Sequence, residues 1–209
     1  MFAGAQLGDP RRVRRLIKIA AAVAEQPAGT VTASMRSVAD KEGAFRFLES
    51  DRFRAETISE AAFDATALSC NSPTTFVVLD QTDLSFVDRK NVRGLGPVCY
   101  RNSDTRKAVH VMNAFALDSD GTPRGLIGQE VWLRPEDRSP GRRRPGKGFR
   151  DDPRPVEQRE SWRWVRTLNS ARDRMTGSAP GTQCWFVADR GADFHGFLFS
   201  LCPGFCFGF

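Results

Sequence analysis

Thr74–Phe86 reads TTFVVLDQTDLSF, an apolar run that drives straight into an aspartate and then into polar residues. Four consecutive apolar residues, Phe76, Val77, Val78 and Leu79, are the pattern of a strand buried on both faces. A carboxylate at the end of such a strand is costly to bury unless a metal, a positive charge or several donors meet it. The pattern recurs far downstream in QCWFVADRGAD, residues 183–193. There Cys184 to Ala188 make a second apolar strand that Asp189 closes. Two buried strands that each deliver a carboxylate to one end of a sheet could make an oxygen-rich site suited to hard divalent cations; the plainer reading of each is a strand-end aspartate that caps a turn.

Upstream of this core the chain reads as helical. Asp9-Pro10 is an N-cap followed by proline at the first helical position. Val13, Leu16, Ile17, Ala20 and Ala24 recur at helical spacing until Pro27 and Gly29. Arg11, Arg12, Arg14, Arg15 and Lys18 give the same segment a basic side, which suits either phosphates or water. A Thr30-Val31-Thr32 link leads to a second helical tract carrying Phe45, Arg46 and Phe47. A third helix, from Ala55 to Leu68, has Ile58, Ala61, Ala65 and Leu68 on one side. Asn71-Ser72-Pro73 breaks this module from the sheet region, so residues 1–72 read as a small helical domain.

Downstream of the first strand, Asp88 to Thr105 is a polar connection. Ala108 to Leu117 and Arg124 to Leu133 read as a hairpin about the turn Asp118-Ser119-Asp120-Gly121. Residues 134–155 are rich in Pro, Gly and Arg, with Arg142, Arg143, Arg144 and Lys147 as the densest patch; this is a flexible basic loop or a tolerated insertion. Val156 to Met175 is helical, with Trp162, Val165, Leu168 and Ala171 as its buried stripe. The second Asp-ended strand follows, and a further helix begins near Phe194. Residues 201–209, LCPGFCFGF, form an apolar tail without charges, the pattern of an interrupted or out-of-frame end.

The totals agree with a folded, basic chain. It has 209 residues, 40% of them hydrophobic, which excludes an extended disordered polymer. The net charge of +6 comes from 31 basic residues against 25 acidic ones, and suits either a polyanionic partner or a merely soluble basic protein. Five cysteines form no CxxC pair and read as reduced structural thiols. No segment is apolar enough for a signal peptide or a membrane span, so the expected location is the cytoplasm.

The fold class that follows is α/β, α+β in composition. Three antiparallel strands followed by helix, strand and helix match the opening of the ribonuclease-H-like fold. Particular residues then carry a resemblance to a family. FAGAQLGDPRRVRRL at the start, KEGAFRF at 41–47, LDQT at 79–82, QEVWLRP at 129–135 and DRGADFH at 189–195 occur in the order found in bacterial cut-and-paste transposases. The chain resembles the N-terminal part of the insertion-sequence-four group, in its transposon-five-like branch.

That resemblance implies an Asp-Asp-Glu site on a ribonuclease-H-like core at 73–200, holding two magnesium or manganese ions. Asp80 and Asp189 would be the first two catalytic, metal-binding carboxylates. Arg11, Arg12, Arg14, Arg15, Lys18 and Arg46 would hold double-stranded transposon-end DNA. A bacterial, nucleoid-associated protein acting as a dimer, or beside full-length transposase, is the implied setting. The chain departs from the family chiefly in that no acidic residue follows Asp193, so the third carboxylate is missing; the Arg-rich loop between the aspartates is a lesser departure. A form truncated before that glutamate, which binds transposon ends without cutting them, is therefore expected. The alternative is an active metal-dependent nuclease that completes its site from Glu130, Asp193 or another chain. Asp83 and Asp193 read as local hydrogen-bonding residues, His195 as surface or helix-start polarity rather than a phosphate contact, and His110 as a packed strand histidine. Trp132, Trp162, Trp164 and Trp185 belong to the core or its rim.

Overall fold

The computed structural model describes residues 1–87, 94–98, 106–135 and 155–201. The Arg-rich patch at Arg142, Arg143, Arg144 and Lys147, the tail from residue 202 onward, and Cys99, Cys202 and Cys206 lie outside them. The chain forms two compact units, Met1–Ser69 and Cys70–Phe209.

The first unit is helical. After a 3-10 turn at Phe2–Gly4 come α1 (Pro10–Glu25), the single turn α2 (Val31–Ser34), α3 (Val38–Leu48) and α4 (Ala55–Ser69). Three helix starts are capped by side chains, from Asp9, Thr30 and Ser37, to backbone N–H groups of the first turn, where orphan donors need partners. Ala5, Leu7, Leu16, Ile19, Met35, Ala44 and Phe47 form the buried cluster. Phe47 also meets Phe53 with ring centroids 4.8 Å apart.

The second unit is built on one sheet. Its strands are β1 (Thr74–Phe86), the short β2 (Gly96–Pro97), β3 (Lys107–Asp118), β4 (Pro123–Trp132) and β5 (Gln183–Ala188). β3 pairs antiparallel with β1 on one side and with β4 and β2 on the other. β5 joins β1 in parallel. The β3–β4 turn closes through Gly121, whose φ of +84° suits glycine. Between β4 and β5 the chain forms α5 (Trp162–Ser178), and α6 (His195–Leu201) follows β5. The whole is an α/β fold with an N-terminal helical module.

α5 covers one face of this sheet. A Cβ on Gly128 would lie 3.5 Å from that of Ala114 and 3.8 Å from that of Ala171, so a small residue lets the helix close on the strands. Thr75, Val77 and Leu79 of β1, and Ala108, His110, Met112, Ala114 and Ala116 of β3, are buried on that side. Val165, Leu168, Ala171 and Met175 meet them from α5. Full burial of such aliphatic side chains contributes about 1.5–3 kcal/mol each.

Several expectations change. β1 is not buried on both faces: its residues alternate, with Phe76 and Val78 only half-buried. β5 is likewise one-sided, with Trp185 and Val187 exposed. In α4 the buried residues are Phe63, Thr66 and Ala67, whereas Leu68 is exposed. Ile17 of α1 points to solvent and Ile19 takes its place in the core. The link at residues 30–32 is the capped start of α2. The helix expected from Val156 is a 3-10 turn at Val156–Gln158, with α5 beginning only at Trp162.

Candidate functional site

In the first unit, α1 and α3 pack so that Arg11, Arg12, Arg15 and Arg46 line one cleft of about 310 Å³. Gly43, Phe47, Ser50 and Phe53 complete its walls. The spacing of 11, 12 and 15 brings three arginines to one side of α1, because residues three and four apart are helical neighbours. Gly43 makes room for the cluster: a Cβ there would lie 2.6 Å from the Arg15 Nη1. Arg12 donates to the Leu7 carbonyl oxygen at 2.7 Å, which fixes its guanidinium at the cleft wall. Arg15 lies 3.6 Å from Asp40, and Arg46 donates to Glu42 at 3.1 Å.

The six basic residues therefore divide. Four line the cleft, but Lys18 is drawn to Asp40 and Arg14 is exposed without lining the cleft. The Lys18 hydrogen bond, helped by Ser37, holds the Asp40 carboxyl below the usual carboxylate range. Four guanidinium groups around one concavity, with aromatic rings in its wall, form a cationic site of phosphate-binding character.

In the second unit, parallel pairing of Leu79 with Ala188 puts Asp80 and Asp189 at the next positions of neighbouring strands. Both are exposed. Asp80 accepts from the Thr82 hydroxyl at 3.3 Å. Asp189 accepts the Gly191 N–H at 2.7 Å and so caps the 3-10 turn Arg190–Ala192. Two neighbouring carboxylates open to water have donor chemistry suited to a hard, partly hydrated cation. They do not make a closed set: among the described residues no group of three His, Cys, Asp or Glu residues comes together.

The remaining strand acids lie on the opposite face, and each has a cationic or imidazole partner. Asp80 pairs across to Asn113, but Glu130 pairs with Met112, one residue out of phase and hence on the side that α5 covers. There Glu130 meets Arg163 and Arg166 of α5. It cannot complete a site around Asp80. Asp83 also faces that side and lies 2.7 Å from Nδ1 of the fully buried His110, whose Nε2 is 3.2 Å from the Pro97 carbonyl. Burial raises the Asp83 pKa, but the His110 hydrogen bond and charge outweigh it and hold the carboxyl below its ordinary value. Asp118 accepts from Arg124 Nε at 2.7 Å, and that bond lowers its pKa.

Trp132 is buried, stacks on His110, donates to Glu160 at 2.8 Å and carries the Arg163 guanidinium over its ring. Trp164 is buried too, while Trp185 stands exposed. Cys70 and Cys184 carry reduced thiols, and burial pushes both pKa values up. Asn113 and Gln129 went unnoticed in the sequence, yet register places them in one row with Asp80. No helix among the described residues is long and apolar enough to cross a membrane.

Residues 1–53 match the family model for a transposase DNA-binding domain. The match spans α1, α2, α3 and all eight residues that line the arginine cleft. It supports a transposase that binds DNA.

Proposed function

We propose that the chain binds double-stranded transposon-end DNA as a transposase of the cut-and-paste type, and that the arginine cleft is where its first unit grips the phosphates. The coincidence of the cleft with the residues that match a transposase DNA-binding domain carries this reading. Guanidinium groups suit phosphate because they are always charged and present a planar fork of donors. Contacts of this kind set register and orientation on the duplex and make affinity depend on salt.

The second unit belongs to the same reading. Its order of two antiparallel pairings, a crossover helix and a parallel strand is compatible with a ribonuclease-H-like core of the insertion-sequence-four group. Asp80 and Asp189 are then the residues that would hold magnesium or manganese, which would supply Lewis-acid activation at a phosphodiester. Among the described residues no third carboxylate joins this pair, and such chemistry uses three. We therefore assign it DNA binding without strand cleavage, and a role as competitor or partner of a complete transposase.

Gel-shift titration of the 209-residue protein against a labelled transposon-end duplex tests the assignment, with magnesium present and a second lane series for cut products. A shifted duplex that remains intact is the expected result. No shift at low salt refutes the binding assignment. Cut products that disappear on Asp80→Asn refute the absence of cleavage.

A further inference from the structure

Resting on the carboxylate reading above, we propose that Asn113, braced by Gln129, is the positioning residue that aims the Asp80 carboxylate at a divalent cation. Three strands place the three residues side by side: Gln129 on β4 pairs with Asn113 on β3, which pairs with Asp80 on β1. Cross-strand neighbours on one face have Cβ atoms about 4.5–5.5 Å apart, a separation that one hydrogen bond can bridge; among the described residues no hydrogen bond joins Asn113 to Asp80 in this structure.

The amide pair sets the direction. Gln129 Nε2 donates to Asn113 Oδ1 at 2.8 Å. With its carbonyl oxygen turned towards β4, Asn113 keeps both Nδ2 donors for the other side, where Asp80 stands. Among the described residues, Asp80 accepts only the 3.3 Å bond from Thr82, and it does so through Oδ2. Its Oδ1 is left for a donor or a cation. A donor on one carboxylate oxygen fixes the plane of the group and directs the other oxygen at the ion, as outer partners of metal ligands commonly do.

The surroundings give the row further meaning. On the same face the next pairs along β1 and β3 are Val78 with Phe115 and Thr82 with Val111. Val111 in turn pairs with the exposed Val131. Two carboxamides in mid-strand are poor sheet formers beside β-branched and aromatic neighbours.

The test combines NMR with metal affinity on the full chain. In the unaltered protein, addition of magnesium should shift the Asn113 side-chain amide protons, and Asp80→Asn should abolish that shift. Manganese affinity, read from the EPR signal of the free ion, should fall about 10-fold for Asn113→Leu, the low end for an outer partner of a metal ligand. The melting temperature should stay close to that of the parent. Gln129→Leu should give a smaller loss of the same kind. Asn113 signals that ignore magnesium while manganese binding still depends on Asp80 would overturn the proposal alone; so would full affinity in Asn113→Leu. Manganese binding that is absent, or indifferent to Asp80→Asn, overturns the carboxylate reading and this inference with it.

Discussion

Removing charge from the arginine cleft without disturbing its packing should lower the salt dependence of DNA binding by a countable amount. Arg11 and Arg46 are the suitable pair. Among the described residues the Arg11 side chain has no hydrogen bond, and the exposed Arg46 has only its pair with Glu42 four residues back, an interaction of about 0.3–0.5 kcal/mol. Arg12 and Arg15 are less suitable, because Arg12 is tied to the Leu7 carbonyl and Arg15 packs over Gly43. Each phosphate that no longer meets a guanidinium lowers the slope of log affinity against log salt by about 0.9. Arg11→Gln with Arg46→Gln should thus flatten the slope by about 1.8. Between about 50 and 200 mM salt that difference compounds to about 12-fold in relative affinity. Fluorescence anisotropy with a labelled duplex over that range reads it directly. Arg36→Gln serves as the control, since Arg36 is exposed, pairs with Glu25 and lies outside the cleft. A double variant with the parental melting temperature and an unchanged slope refutes the cleft as the phosphate grip. So does an equal flattening in the control.

Gly43→Ala should leave stability within about 1 kcal/mol of the parent, because alanine favours the helix by about that amount while the new methyl displaces the end of the Arg15 side chain; DNA affinity should fall, and gel shift beside a thermal melt checks both. Glu130→Gln should cost about 1–3 kcal/mol by weakening charge-assisted bonds to Arg163 and Arg166; chemical denaturation gives the loss, and manganese affinity should not change. Acid should unfold the second unit below about pH 4: Asp83 and Asp118 both have lowered pKa values, so their stabilisation is full above the unfolded carboxyl value of about 3.9 and is lost as pH falls through the folded values. Circular dichroism across about pH 2–6 tests this, and a transition centred above about pH 5 contradicts it. Asp80→Asn should raise stability in EDTA by about 0.2–1 kcal/mol, since it relieves like charges on neighbouring strands; millimolar manganese should reverse the order of the two melts.

The C-terminal end of β1 was not legible: the aspartate read as closing the strand, whereas β1 runs on through polar residues to Phe86. Its start was legible, because Asn71-Ser72-Pro73 stops the preceding helix. Asp9-Pro10 likewise marks the first residue of α1. Face assignment was less legible. The α4 sequence offers apolar side chains on two sides, and the choice between Leu68 and Phe63 is made by tertiary packing, with Phe63 in the core. Trp185 reads as buried from its apolar neighbours, but β5 has one side away from α5, so alternate residues stay open. The short strand Gly96–Pro97 has too few residues for any periodicity. The arginines of α1 could be counted from sequence, but which of them converge on a cleft depends on where α3 crosses. Asn113 and Gln129 carry no motif: only strand register, which is a long-range property, makes neighbours of residues 80, 113 and 129.

The two faces of the sheet treat acids differently, and this asymmetry bears on function more than either aspartate does alone. On the α5 side Asp83 meets His110, Asp118 meets Arg124 and Glu130 meets two arginines. Asp118 and Glu130 lose water there and are compensated by those partners, whereas Asp83 is exposed and is held by the buried His110. Asp80, on the other face, and Asp189, at the neighbouring strand end, have no cationic side chain as partner among the described residues; a hydroxyl and a backbone N–H are what they receive. Solvent permits that, but it does not explain why two like charges should occupy neighbouring positions on adjacent strands, where each raises the cost of the other. Substituting either one with a neutral amide would preserve the shape and remove the repulsion. An arrangement that persists against such a cost is accounted for when a third charge of opposite sign arrives from outside the chain. The divalent cation proposed above would supply that charge, and would also draw a phosphodiester backbone to the same site.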